Sequence, residues 1–180
     1  MAMIGIVVMG CENDLKEVER VSQFETLPLN TIYNSHIEYT DSGRVMMIIE
    51  AGQIDRYQGE EPQDEFSKGI RVLSYNSAGE LESEITAENA TNYPEKKIME
   101  ARDSVVLMDN EGKRLDTELL TWDENTGKIY TDKFVQISTP TEILYGDGLK
   151  AKQDFSSYEI TNIKGRIKVE EGNNDTTKVR

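Results

Sequence analysis

Thr117-Glu118-Leu119-Leu120-Thr121-Trp122 and Lys128-Ile129-Tyr130-Thr131-Asp132-Lys133-Phe134-Val135-Gln136-Ile137 flank the segment Asp123-Glu124-Asn125-Thr126-Gly127. Two short runs rich in β-branched and aromatic residues around an Asp, Asn and Gly cluster read as a β-hairpin. The pattern returns before and after it. One copy runs Ala87, Ala90, Thr91, Ile98, Met99, Ala101, Val105, Leu107; a later one runs Gly148, Leu149, Ala151, Asp154, Phe155, Ile160, Ile163, Ile167, Val169. A looser first copy covers Val45, Met47, Ile49, Ala51, Ile54, Tyr57, Phe66, Ile70 and Val72. An interval of about 30 residues marks stacked supersecondary units, and the chain reads as an all-β ladder of repeated hairpins.

Outward from this ladder, Tyr33, Ile37 and Tyr39 alternate with Asn34, His36 and Glu38, and Asp41-Ser42-Gly43 turns the chain into Val45–Ile49. Further turns follow at residues 76–79, 109–112 and 146–148. Their spacing fits an all-β sandwich, barrel or jelly roll. Residues 12–30 are polar, with Leu15, Val18, Val21 and Phe24 at near-helical spacing, and read as a tether. Residues 170–180 carry no apolar periodicity and read as a disordered tail, which leaves 31–169 as the folded domain.

The formal net charge of −14, from 34 acidic against 20 basic residues, argues against nucleic acid because nothing neutralises a run of phosphates. Broad contact with an anionic membrane surface is disfavoured for the same reason. The one cysteine forms no intramolecular disulfide. Residues Ile4-Gly5-Ile6-Val7-Val8-Met9-Gly10 form an apolar run that ends directly before Cys11. Such a run is too short to span a bilayer, which needs about 20 residues, but suits the apolar core of a secretory signal. It resembles a bacterial lipobox, in which the cysteine, here Cys11, carries the lipid; residues 1–11 are then signal and lipobox. The alternative is a buried strand with a core cysteine.

Candidate catalytic groups find bland explanations. His36 is the only histidine and lies on the polar side of its strand, without a second ligand to complete a metal set. Glu82/Glu84 and Glu118/Asp123 are expected on a solvated outer face, as is Lys113, and Asp132 and Asp154 at turns. There is no nucleophile elbow, phosphate loop or dinucleotide fingerprint. The chain is therefore read as a non-enzyme without cofactor or metal.

Strand alternation sets Ile37, Tyr39, Val45, Met47, Ile49, Phe66, Ile70, Val72, Leu81, Ile85, Ile98, Val105, Leu107, Leu119, Ile129, Val135, Ile137, Leu149 and Ile160 on the inward face. Any β protein needs such a core. Taken together, the repeat suggests two facing sheets that stay open as a trough and hold acyl chains.

The strings Gly112-Lys113-Arg114-Leu115-Asp116-Thr117-Glu118-Leu119-Leu120-Thr121-Trp122, Lys128 to Ile137, Gly146-Asp147-Gly148-Leu149 and Tyr158-Glu159-Ile160-Thr161-Asn162-Ile163-Lys164-Gly165-Arg166-Ile167 together resemble the LptC/organic-solvent-tolerance family of lipopolysaccharide-transport proteins. The likeness implies a twisted, partly open antiparallel β jelly roll on the periplasmic face of the inner membrane, lipid-anchored through Cys11. It implies receipt of lipopolysaccharide from inner-membrane ABC transporter subunits and its transfer to an LptA-like bridge protein by edge-strand pairing. A soluble LptA-like bridge subunit and a lipoprotein β domain with a dry core are the alternatives. The resemblance matches Gly43 to a turn glycine, Phe66 with Ile70 to the lipid path, and Ile160 and Ile163 to the closing strands. Lipid-binding residues are accordingly expected at Phe66, Ile70, Ile129, Ile137 and Ile160, and a partner edge at Ile163, Ile167 and Val169.

Overall fold

The computed structural model describes residues 27–168. Ten antiparallel strands follow one another: β1 (Asn30–Asp41), β2 (Arg44–Tyr57), β3 (Gln63–Tyr75), β4 (Leu81–Ala87), β5 (Asn89–Tyr93), β6 (Ile98–Asp109), β7 (Arg114–Asp123), β8 (Lys128–Ser138), β9 (Glu142–Lys152) and β10 (Tyr158–Lys168). They form one sheet in the order β1-β2-β3-β4-β6-β7-β8-β9-β10, with β5 between β3 and β6 beyond the end of β4. The single residue Glu88 separates β4 from β5, so the two are one strand broken in the middle.

That break belongs to a line that crosses the sheet. Asn34 and Gly52 leave the β1–β2 register opposite each other, and Lys68 and Gly69 take left-handed φ angles of 60° and 87° in β3. Asp103 and Ser104 do the same in β6 at 66° and 53°. Pairing slips between Thr117 and Thr121 in β7, between Thr131 and Phe134 in β8, and between Ile163 and Gly165 in β10. Each bulge bends its strand and increases the local twist. Aligned across the strands, they act as a crease.

The sheet folds over along this crease. Leu107, Leu115, Val135 and Ile137 on one side of it and Phe66, Leu120, Ile129 and Leu149 on the other belong to a single buried cluster. The two layers expected to be separate sheets are thus halves of one continuous sheet, an all-β antiparallel architecture of jelly-roll kind. Strands turn corners through bulges in such packings, which removes any need for long connections.

Bulges also change which residues face inward. Simple alternation from Thr117 points Leu119 into the core, but the slip between Thr117 and Thr121 advances the phase, and Leu120 is buried while Leu119 is half-buried. Tyr39 and Leu81, expected inside, are exposed. Ile54, Leu115, Ala90 and Phe155 join the core unannounced by alternation.

Candidate functional site

The creased interior is the candidate site. Phe66 and Ile70 stand on β3, on opposite sides of the Lys68–Gly69 bulge, and both are buried in the cluster that contains Ile129 and Ile137 of β8. Ile160 of β10 is half-buried against the same cluster, opposite Leu149. All five expected lipid-path residues therefore share one interior.

Its lining is almost wholly hydrocarbon. Among the described residues the buried polar ones are Ser83, Thr91, Thr117, Thr121 and Thr131, and the nearly buried Asp109 carboxylate at the rim is paired with Lys113. Thr117 Oγ1 donates to the Phe134 carbonyl at 2.9 Å, and among the described residues no buried side-chain polar atom lacks a partner. Such a surface solvates an acyl chain, since every buried methylene contributes about 0.8 kcal/mol and no orphaned dipole opposes it.

Closure differs along the interior. Around β6–β9, Val105, Leu107, Leu115, Ile129, Val135, Ile137 and Leu149 are fully buried. Toward β1, Ile37 and Met47 are half-buried and Ile32 and Tyr39 exposed, so the interior opens at that end. The β9–β10 turn supplies a stopper: Phe155 is 0% exposed, adopts a left-handed φ of 55°, and stacks on Tyr158 with centroids 5.4 Å apart. A bulky residue in that region of φ is strained and persists only where packing holds it. Asp154 builds the turn by accepting the amide of Ser156 at 3.0 Å and its hydroxyl at 2.7 Å. Desolvation works against ionisation of Asp154, but these hydrogen bonds outweigh it and hold the carboxyl below its ordinary value. Phe155 belonged to the repeat in sequence, yet nothing there distinguished an inward ring from a turn residue.

Lys113 is not on the outer face. It sits half-buried in the β6–β7 turn, pairs with Asp109 at 3.0 Å, donates to the Phe155 carbonyl at 3.2 Å, and lies 5.2 Å from the Phe155 ring centroid. Glu84 meets the expectation of an outer face, where it binds Arg71 at 2.7 Å. His36 is exposed, with Nδ1 3.2 Å from Glu50 and Nε2 3.2 Å from Glu38. Hydrogen bonds to Glu38, then to Glu50, raise its pKa above 6.5. His36, Glu50 and Arg71 edge an open cleft of about 500 Å³ at the crease, but each cation there already faces carboxylates of the chain. Among the described residues, no cluster of His, Cys, Asp and Glu is arranged to hold a metal.

β1 and β10 are the two edges of the sheet. On β10, Ile163 is 63% and Ile167 53% exposed. They do not share a face: Ile163 pairs with Gly146, whereas the slip before Gly165 sets Arg166 opposite Leu144 and turns Ile167 to the other side with Ile143. The apolar stripe that plain alternation draws through Ile163, Gly165 and Ile167 is broken by this bulge. Val169 and Cys11 lie outside the described residues. Among the described residues, no helix is long and apolar enough to cross a membrane.

A comparison with curated proteins gave no match. The family model for lipopolysaccharide assembly, LptC-related, matches residues 3–168, which takes in every strand of the creased sheet. A predominantly apolar interior and a match across nearly the whole chain agree, and this protein belongs to the LptC-related lipopolysaccharide-assembly family.

Proposed function

We propose that the chain carries lipopolysaccharide through the periplasm, with acyl chains held between the two layers and the polar head outside the rims. It receives lipopolysaccharide from an inner-membrane ABC transporter and passes it to an LptA-like bridge protein that pairs with the β10 edge. Cys11 anchors it by lipid to the inner membrane. The observation that carries this reading is the interior itself: Phe66, Ile70, Ile129, Ile137 and Ile160 share one apolar cluster that opens toward β1. An unpaired edge strand is a template for another strand, which natural sheets normally cover or blunt.

Photo-crosslinking residues placed at Phe66 and Ile160 test the groove, with Glu82 as the outer control. Lipopolysaccharide is expected on the first two and not on the third. Equal labelling of all three rejects an inward path, and labelling of none leaves a dry core.

A further inference from the structure

The turns of the folded sheet form two rims. One carries the β2–β3, β5–β6, β7–β8 and β9–β10 turns, and the other the β1–β2, β3–β4, β6–β7 and β8–β9 turns. Along each rim the turns are tied to their own neighbours: Asn125 Nδ2 donates to the Lys96 carbonyl at 3.1 Å, the Gln153 amide to Gly127 at 3.1 Å, and the Asn110 amide to Glu82 at 3.1 Å. Among the described residues, the hydrogen bond that crosses from rim to rim is Lys113 Nζ to the Phe155 carbonyl.

We infer that Lys113 and Phe155 form a clasp that gates lengthwise passage of the amphiphile from the open β1 end of the groove to the β10 edge. The inference rests on the lipid-groove reading. A molecule with acyl chains inside and a polar head outside occupies the slit between the rims wherever it sits, so a bridge across the slit stops it. Lys113 supplies the bridge: Asp109 fixes its ammonium at 3.0 Å, and the ammonium holds the Phe155 carbonyl and faces the rings of Phe155 and Tyr158 at 5.2 Å and 5.8 Å. Phe155 supplies the stopper, its ring filling the interior beneath that bridge. The left-handed φ of Phe155 is held by the contacts around it, of which the Lys113 bridge is one, so its loss leaves the turn less firmly held. Lipid beyond the clasp therefore requires Phe155 to swing out.

The test uses the full chain with lipopolysaccharide micelles, a photo-crosslinker at position 66 or 160, and Lys113→Met, which removes the ammonium and keeps the apolar stem. Labelling at position 160 relative to position 66 is expected to rise about tenfold in Lys113→Met, the scale of one charge-assisted hydrogen bond in an opening equilibrium. In the Lys113-containing chain, hydrogen exchange of the amides at 153–157 is expected to quicken when lipopolysaccharide is added. An unchanged labelling ratio in a Lys113→Met chain with native circular dichroism overturns the clasp while labelling at 66 upholds the groove. Unaltered exchange at 153–157 with strong labelling at 160 overturns it equally. Absence of labelling at both positions in both chains overturns the groove reading and the clasp with it.

Discussion

Lys113 and Phe155 touch across the mouth of the folded sheet, Nζ to carbonyl at 3.2 Å, although their turns lie at opposite ends of the strands. Arg114 pairs with Ser138 and Lys128 with Lys152, so the two turns are separated by the length of β8. In a flat sheet that is about 33 Å at roughly 3.3 Å per residue. The crease closes this distance. The same bend that brings the rims together makes an interior out of the single sheet that the described residues form.

Leu115 and Ile137 are direct cross-strand partners, each 0% exposed. Truncation of either to alanine is expected to cost about 2–5 kcal/mol by lost burial and residual cavity. The double variant will cost less or more than the sum, because the two side chains share one void. Urea unfolding measures all three.

Gly146 and Gly165 separate two roles for glycine at the β10 edge. A Cβ on Gly146 would collide with the Ile160 side chain and approach the Asn162 carbonyl to 2.7 Å, whereas one on Gly165 meets only Tyr145 Cδ2 at 3.6 Å. Gly146→Ala is expected to push β10 from β9 and destabilise by about 1–3 kcal/mol. Gly165→Ala is expected to be near neutral. Amide exchange in β10 distinguishes them, and equal protection in both variants contradicts the packing described.

The raised pKa of His36 fixes the sign of a pH effect. A group whose folded pKa exceeds its unfolded value stabilises fully below the unfolded value, here 6.5, and loses that contribution as pH rises through the folded value. The outer β1–β2 pairing should weaken slightly as pH rises from 6.5 through the His36 midpoint. NMR titration is expected to place that midpoint above 6.5, and Glu38→Gln to lower it, since Glu38 is the larger cause.

Edge pairing predicts which part of the C-terminal region binds a bridge partner. Ile167→Pro removes a backbone donor from β10 and is expected to abolish capture of an LptA-like protein in a pull-down. Removal of residues 171–180 is expected to leave capture intact. Binding by a correctly folded Ile167→Pro chain would reject pairing at this edge.

The hairpin ladder was legible in the sequence because alternation and turn residues are local: Asp, Asn and Gly at the turns and β-branched residues between them fix strands within a few residues of one another. Ten of the residues set inward by alternation alone, among them Ile49, Phe66, Val105, Val135 and Leu149, are buried in the folded chain. The family resemblance was legible for the same reason, being carried by contiguous strings. Only the tertiary structure decided the crease. A bulge shifts the two-residue period by one, so Leu120 replaces Leu119 in the core and Ile163 and Ile167 part to opposite faces. Nothing in strand periodicity records where such slips align across neighbouring strands. The meeting of Lys113 with Phe155 follows from that alignment, because contacts between rims depend on the fold of the whole sheet and leave no trace in the spacing of either turn.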